Sequence, residues 1–174
     1  MKLVRWRRFT WELTKLPTTH NPLPEHYHVR AAVREEEKIV TNVIVSAFAS
    51  DSAWSDTVTN FKERLEAQVE TAFSRENIPA VVVCHGQRVI GASALHTEVE
   101  TENHLLSGPC VLMEYRNRGL GSALLFASLQ QLREGGLERV HGVVKENVVA
   151  CKFIYPKFGS VDAAYDYEPA LAGT

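Results

Sequence analysis

A strand, a turn rich in arginine and glycine, and a helix follow one another near the middle of the chain. This succession constrains the fold more than any other feature. The strand pattern covers Cys110–Met113, and apolar residues at helical spacing predict a helix over Gly119–Arg133. Gly119 and Gly121 lie at the junction, where a glycine allows the backbone to approach a ligand closely. The sequence therefore predicts that a strand end and a helix start meet at a binding turn.

The start of this helix is a predicted anion-binding site. The first N–H groups of a helix have no partner within the helix, and the helix dipole adds partial positive charge there. Arg116 and Arg118 precede the helix and add two cationic side chains. This combination is typical of a turn that holds a pyrophosphate group.

Three nucleotide-binding motifs compete for the turn. A dinucleotide-binding turn requires a third glycine where this chain has Leu124, and a Walker A loop requires Gly-Lys-Ser/Thr, which the sequence lacks. The third motif is the Arg-x-x-Gly-x-Gly turn that binds coenzyme A, and residues 116–121 fit it.

Hydrophobic periodicity predicts a mixed α/β domain, with a sheet flanked by helices, in the order β-α-α-β-β-β-α-β-α-β. An N-terminal β arm and a proline-rich linker occupy residues 1–26, and the main domain occupies residues 27–174. The predicted strands of the main domain are Tyr27–Val33, Ala80–Cys84, Val89–Leu95, Cys110–Met113, Arg139–Val144 and Ser160–Tyr167. The predicted helices are Glu35–Ala49, Phe61–Phe73, Gly119–Arg133 and Val148–Phe158. The predicted apolar face of the first helix consists of Ile39, Val43, Ile44, Ala47 and Phe48.

A second segment strengthens the coenzyme A interpretation. Residues 147–159 read Asn-Val-Val-Ala-Cys-Lys-Phe-Ile-Tyr-Pro-Lys-Phe-Gly and follow the strand predicted before them. Together with the Arg116–Gly121 turn, this segment resembles the GNAT acetyltransferase superfamily. The family signature is Q/R-x-x-G-x-G/A, and its second block is roughly N-x-x-A-x-x-F-Y-x-K-F-G-F. The resemblance covers residues 27–167 and implies a GNAT-like fold with an N-terminal β extension.

The resemblance implies acetyl-CoA as the co-substrate. In this family two strands separate and the pantetheine arm lies between them, so the backbone of Val111, Leu112 and Met113 would pair with it. Asn147 would reach the pantetheine, or would cap the helix that follows, and the two roles are compatible. The amides that would hold the pyrophosphate belong to Arg116, Asn117, Arg118, Gly119, Leu120, Gly121 and Ser122.

The resemblance also implies acetyl transfer to an amine, which needs a donor to the oxyanion and a proton for the departing thiolate. The N–H of Val111 or Leu112 would serve the oxyanion, and Tyr155 would supply the proton. The family tyrosine follows the asparagine by seven positions, whereas Tyr155 follows Asn147 by eight. A bulge or a shifted helix start would absorb the extra residue; otherwise Tyr155 is a packed aromatic residue.

The proton acceptor for the amine is not fixed by any motif. The segment where the family often has a carboxylate is Ser107-Gly108-Pro109, which contains none. Glu102 and His104 are the first candidates. Alternation would place Glu98, Glu100 and Glu102 on one side of a strand, as a solvated edge or as an acidic mouth that attracts an amine.

Composition excludes several other classes of protein. A chain of 174 residues that is 45% hydrophobic with a net charge of −2 is long and apolar enough for a globular domain. No apolar run approaches the ~20 residues of a membrane helix. Three scattered cysteines favour a reduced, cytoplasmic protein without a metal site. The basic residues of the N-terminal arm fit a solvated strand face, and nucleic acid is not an expected ligand.

Two functions of other classes remain open. The shifted Tyr155 and the missing carboxylate favour a sensor or scaffold that binds a CoA ester without catalysis, and the basic arm favours a binding module. The acceptor of an active enzyme would be a small-molecule amine or a peptide. Only 15 residues follow Gly159, whereas the family usually ends with two strands that wall the acceptor site, so either the arm or a second subunit must fill that place. On this ground we expect a homodimer.

Overall fold

The polypeptide forms two antiparallel sheets with helices packed against them. The computed structural model describes residues 4–54 and 58–166. The strands in these ranges are β1 (Trp6–Glu12), β2 (Tyr27–Ala31), β3 (Ala80–His85), β4 (Arg88–Ala94), β5 (Cys110–Val111), β6 (Arg139–Lys145) and β7 (Val161–Tyr165). The α-helices are α1 (Glu37–Ala49), α2 (Val58–Phe73), α3 (Leu120–Glu134) and α4 (Val149–Phe153). The mixed α/β class predicted from the sequence is confirmed.

The two sheets meet at one end and separate at the other. The first has the strand order β2-β3-β4-β5, and the second has the order β6-β1-β7. Near the junction, the N–H of His104 donates to the carbonyl of His141 at 2.8 Å, and the N–H of Val143 donates to Oδ1 of Asn103 at 3.1 Å. Further along, β5 pairs with β4 while β6 pairs with β1. A gap between β5 and β6 results.

Strand β1, which comes from the predicted N-terminal β arm, is the central strand of the second sheet. It pairs antiparallel with β6 from Trp6 opposite Lys145 to Glu12 opposite Arg139. Its other edge pairs antiparallel with β7. The arm itself therefore supplies the strand that we expected from the arm or from a second subunit. The homodimer, which rested on that missing strand, stays a prediction without this support.

Helices cover both faces of the first sheet because successive side chains of a strand point to opposite faces. Val82 of β3 packs in the same buried cluster as Val43 of α1 and Leu65 of α2. Its neighbours Val81 and Val83 pack with Leu120 and Leu124 of α3. The gap between β5 and β6 is consequently accessible from two different helical layers.

Several predicted boundaries change. The strand predicted through Met113 ends at Val111, and a 3-10 turn follows at Met113–Tyr115. The helix predicted to Phe158 ends at Phe153, because Pro156 has no N–H to donate and restricts the residue before it. The last predicted strand is shortened to β7, and its predicted final residue, Tyr167, lies outside the described residues.

Two predicted orientations are wrong. Ile39 is exposed, and Val40 takes its place on the buried face of α1. The segment from Glu98 to Glu102 forms a turn instead of a strand, so its three glutamates do not lie on one side of a strand. In the described ranges, none of the helices combines the length and the apolar character that crossing a bilayer requires.

Two basic residues of the N-terminal strand have acidic partners within the domain. Arg7 forms an ion pair with Asp162 of β7, and Arg8 forms one with Glu102. Such surface pairs contribute little to stability.

Candidate active site

A cavity with a volume of about 520 Å³ fills the gap between β5 and β6. This volume lies within the range of small-molecule and cofactor sites, roughly 300–1,000 Å³. From the layer of α1, the cavity is lined by Phe48, Asp51 and Trp54; from the layer of α3 and α4, it is lined by Gly121 and Ile154. The cavity thus reaches from one helical layer to the other through the gap.

The first turn of α3 borders the cavity and presents unpaired amides. Gly119 is the N-cap and has a φ of 79°, a conformation that favours glycine. The N–H of Ala123 makes the first helical bond, to the carbonyl of Gly119 at 3.2 Å. The N–H groups of Leu120, Gly121 and Ser122 precede it and therefore have no helical partner. Asn117, Gly119 and these three residues line the cavity, as the sequence predicted for an anion site.

Lys157 adds a positive charge to this helix start. Its Nζ donates to Oγ of Ser122 at 2.8 Å, and both residues line the cavity. In the sequence, Lys157 stands out only as one residue of the second family block. Its position beside α3 depends on a contact between segments 35 residues apart, which local patterns do not reveal.

The two arginines of the turn bind groups of the protein itself. Arg116 lines the cavity, but its Nε donates to the carbonyl of Val111 at 3.1 Å, and Nη2 donates to that of Ala47 at 2.9 Å. It therefore ties β5 to the end of α1. Arg118 lies outside the cavity lining, where it donates to the hydroxyl of Tyr27 at 3.0 Å and stacks over Tyr115. The predicted cationic pair at the pyrophosphate is not formed by these side chains.

The backbone of β5 offers one donor to the gap. The N–H of Leu112 donates to the carbonyl of Ile90 at 2.9 Å and is thus directed towards β4. Because N–H directions alternate along a strand, the N–H of Val111 points away from β4, towards the gap. Of the three residues expected to pair with pantetheine, Val111 lines the cavity, whereas Leu112 and Met113 do not.

Tyr155 lies in the cavity wall in spite of its late position in the sequence. The N–H groups of Ile154 and Tyr155 both donate to the carbonyl of Ala150, at 3.0 and 2.9 Å. The second bond spans five residues, so the chain forms a wide, π-type turn at this point. Helix α4 also begins only at Val149. The late helix start and the wide turn together accommodate the extra residue.

The Tyr155 hydroxyl is held as a neutral phenol. Burial raises its pKa above the usual value, and the neighbouring Cys110 acts in the same direction. The ring is 3% exposed and packs against Phe9 and Trp11 of β1, with ring centroids 5.5 and 5.9 Å away. The hydroxyl in the cavity wall is therefore protonated at neutral pH and available as a hydrogen-bond donor.

Asn147 is not the N-cap of α4, and it does not line the main cavity. Its side chain is exposed and borders a different, second cavity, which also involves Arg5 and Asp162. Val148, not Asn147, is the N-cap of α4, and Val148 lines the main cavity. Tyr155 follows Val148 by seven residues, so the site has an apolar side chain at the family spacing for asparagine.

The two candidate proton acceptors lie away from the cavity lining. Glu102 is exposed and paired with Arg8. His104 is fully buried, and its Nδ1 accepts the N–H of His141 at 2.9 Å. Burial lowers the pKa of His104 to about 4. This imidazole is neutral at pH 7, but it has no access to a ligand in the gap.

Asp51 is the acidic side chain that the sequence analysis missed. Among the described residues, it is the one carboxylate that lines the cavity. Its Oδ1 accepts the N–H of Ala53 at 3.0 Å, which holds the side chain in a local turn after α1. The residue stands in a short polar segment that carries no recognisable motif, so only the fold reveals its proximity to the gap.

Cys110 also lines the cavity, and its thiol is inert at neutral pH. Sγ is 3.6 Å from the carbonyl of Ser107 and 3.5 Å from that of Gly108. Burial raises the pKa of this thiol to about 12. Since the thiolate is the nucleophilic form, the arrangement disfavours a covalent intermediate on Cys110.

Comparison with solved structures places this fold among acetyltransferases. A GCN5-related N-acetyltransferase from Sphaerobacter thermophilus has a TM-score of 0.67 at 16% identity, covering 94% of this chain and 50% of that chain. A GNAT-family acetyltransferase from Colwellia psychrerythraea has a TM-score of 0.66 at 14% identity, covering 93% and 54%. The present chain thus spans about half the length of these two proteins. A comparison with curated proteins gives no significant match.

The sequence profile of the Acetyltransferase (GNAT) family matches residues 45–159. This range contains the end of α1, the α3 amides and Tyr155, which together form the cavity wall. The resemblance first noted in the Arg116–Gly121 turn is thereby confirmed, and the chain belongs to the GNAT acetyltransferase family.

Proposed function

We propose that this chain is an acetyl-CoA-dependent N-acetyltransferase that transfers the acetyl group directly to an amine. One observation carries the proposal. A single cavity connects the unpaired amides of α3 with the Asp51 carboxylate, and Tyr155 lies in its wall. An anionic carrier and a cationic acceptor could therefore meet in the gap between the sheets.

The part of the cavity next to α3, where acetyl-CoA would bind, has the groups that bind a diphosphate. The amides of Leu120, Gly121 and Ser122 combine with the helix dipole to attract an anion. The ammonium group of Lys157, beside Ser122, adds a full charge. Acetyl-CoA supplies an activated thioester when bound. The N–H of Val111, directed into the gap, is the candidate donor to the acyl oxygen.

The acceptor side favours a small cationic molecule. Asp51 presents a carboxylate next to the aromatic side chains of Phe48 and Trp54. An ammonium group is attracted by the carboxylate and can pack against the ring of Phe48, whereas the ring of Trp54 already has the Lys145 ammonium 5.5 Å from its centroid. Before attack the ammonium must lose a proton, since the pKa of an alkylamine is near ~10.4. Asp51, directly or through water, is the candidate acceptor of that proton.

Tyr155 is the proposed proton donor to the departing sulfur. Its phenol is neutral and buried in the wall of the gap. As the C–N bond forms and the C–S bond breaks, the Oη proton passes to the departing sulfur, and the proton lost by the attacking nitrogen restores the phenol. Cys110 remains a thiol, which supports direct transfer without an acetylated cysteine.

The test combines binding and turnover. CoA should raise the melting temperature, and acetyl-CoA should release free thiol with at least one member of a panel of polyamines, arylalkylamines, aminoglycosides and peptides. Tyr155→Phe should lower kcat by about 10²-fold with little change in the Kd of acetyl-CoA, as expected for loss of an acid catalyst. Tyr165→Phe, on β7 away from the cavity lining, is the matched control. An unaltered kcat in Tyr155→Phe would remove the tyrosine from the mechanism.

A second candidate function is a sensor that binds a CoA ester without turnover. Val148 at the family spacing for asparagine favours it, as do the positions of Glu102 and His104 outside the cavity lining. CoA binding without thiol release across the whole panel would support the sensor. Absence of any CoA binding would contradict both functions.

A further inference from the structure

The N-terminal strand contacts the segment that carries two of the proposed functional groups. Trp11 of β1 is fully buried, and its indole Nε1 donates to the carbonyl of Lys157 at 2.8 Å. Its ring also packs against that of Tyr155, with centroids 5.9 Å apart. One side chain of the arm therefore contacts both Tyr155 and the backbone of Lys157, across a separation of 146 residues in the second case.

The segment that Trp11 holds has few regular bonds of its own. Helix α4 ends at Phe153, and a wide turn then leads to Pro156, which has no N–H. Within this segment the N–H of Lys157 donates to the carbonyl of Ile154 at 3.1 Å. A chain without a helical ladder needs outside contacts to fix its conformation, and the indole N–H is one of them.

The surrounding backbone is shaped for this contact. A Cβ atom at Gly142 of β6 would lie 3.0 Å from Cε2 of Tyr155 and 3.2 Å from Cζ3 of Trp11. Gly142 therefore leaves room for both rings to lie side by side against the strand. On the far side of the segment, the Lys157 ammonium reaches Ser122 at the start of α3. Contacts thus run from Trp11 through Lys157 to the anion site.

From these contacts we infer that Trp11 is a positioning residue for both halves of the reaction. By holding the 155–157 segment, it directs the Tyr155 hydroxyl into the gap and keeps the Lys157 ammonium at the start of α3. The inference rests on the proposed function. It assigns to the N-terminal arm a role in turnover and in donor binding, besides its role as a strand.

The experiment compares Trp11→Phe with Thr10→Val. Both variants lie on β1 and lose one hydrogen bond, but the bond of Thr10 goes to His141 and not to the 155–157 segment. Trp11→Phe should lower kcat about tenfold and raise the Kd of acetyl-CoA about fivefold, in line with the sensitivity of catalysis to small displacements. Thr10→Val should change neither by more than about twofold.

A double-variant cycle separates positioning from a general loss of stability. In the Tyr155→Phe background, Trp11→Phe should cause no further loss of kcat but should still weaken acetyl-CoA binding. Equal losses of kcat in both backgrounds would overturn the inference. If Trp11→Phe does not fold, benzothienylalanine at position 11 replaces only the indole N–H by sulfur and is measured in its place. A wild-type protein without CoA binding would instead contradict the proposed function itself.

Discussion

A Cβ atom at Gly108 would overlap the hydroxyl oxygen of Tyr155. Gly108 has a φ of 66°, a conformation that residues with side chains rarely adopt. The hydroxyl therefore occupies space that exists because residue 108 has no side chain. This contact fixes where the proposed proton donor lies relative to β5, which begins two residues later.

Replacing Gly108 by alanine should displace the Tyr155 hydroxyl. We expect Gly108→Ala to lower the free energy of unfolding by about 1–3 kcal/mol through backbone strain and overlap. We expect kcat to fall at least about tenfold because the hydroxyl moves. Urea unfolding and initial rates measure the two effects.

The control for Gly108→Ala is Gly159→Ala, where φ is 78° but a Cβ atom would meet open space. The loss of stability in this variant measures the backbone strain at positive φ without any overlap with a side chain. In a Tyr155→Phe background, Gly108→Ala should cost less stability, since the overlapping oxygen is absent. An equal cost in both backgrounds would show that the overlap does not govern the effect.

Gly119 and Gly136 form a matched pair at the two ends of α3. Their φ values are 79° and 96°, and a Cβ atom would meet nothing within 4 Å at either. Changing either residue to alanine should lower stability by about 1–2 kcal/mol. Only Gly119→Ala should weaken CoA binding, by about tenfold, because it changes the direction of the amides at the cavity. Isothermal titration with CoA measures this, and equal affinities in the two variants would contradict the anion site.

Removing the charge of Asp51 should affect the acceptor and not the donor. Asp51→Asn keeps an oxygen for the N–H of Ala53, so the local turn should persist. Loss of a charge-assisted contact worth about 1.5 kcal/mol should raise the KM of a cationic acceptor about tenfold, and loss of the proposed proton acceptor should also lower kcat. Steady-state kinetics should show an unchanged KM for acetyl-CoA. Glu66→Gln on α2 changes the net charge equally and is the control; an equal rise in that variant would indicate a long-range charge effect.

His104 should make the protein less stable in mild acid. Burial is the largest cause that lowers its folded-state pKa to about 4, from 6.5 in the unfolded chain. The stabilising contribution of neutral His104 is complete above pH 6.5 and is lost as the pH falls towards 4, because the unfolded state binds the proton first. Between pH 8 and pH 5, the loss should be about 2 kcal/mol.

Urea unfolding at the two pH values measures this loss. The neighbouring His141, whose pKa is also lowered by burial, contributes in the same direction. His104→Gln should therefore reduce the difference between pH 5 and pH 8 without abolishing it. An undiminished difference in His104→Gln would assign the acid sensitivity to other groups.

Local sequence patterns predicted the helix start at Leu120 and its unpaired amides, because both depend on neighbouring residues. The glycines at 119 and 121 precede a helix whose first amides are unpaired in any fold. The position of the Tyr155 side chain was harder to predict from the sequence. The spacing from Asn147 suggested a misplaced side chain, and the wide turn at Ala150 that corrects it depends on packing against β1.

The proton acceptor shows where local patterns fail. Glu102 and His104 lie close in sequence to β5, and this proximity made them the first candidates. The fold directs Glu102 to an exposed ion pair and buries His104 against β6. Asp51, far away in sequence, reaches the cavity because Arg116 ties the end of α1 to β5.

The sequence by itself determined the family, the order of the elements and the unpaired amides at the start of α3, since each depends on residues close together in the chain. Only the tertiary structure decided that β1 lies between β6 and β7, and that Trp11, Lys157 and Asp51 lie around one functional region. These relationships join residues up to 146 positions apart. They depend on how the two sheets meet at one end and separate at the other. No local sequence pattern indicates where the gap between β5 and β6 will lie.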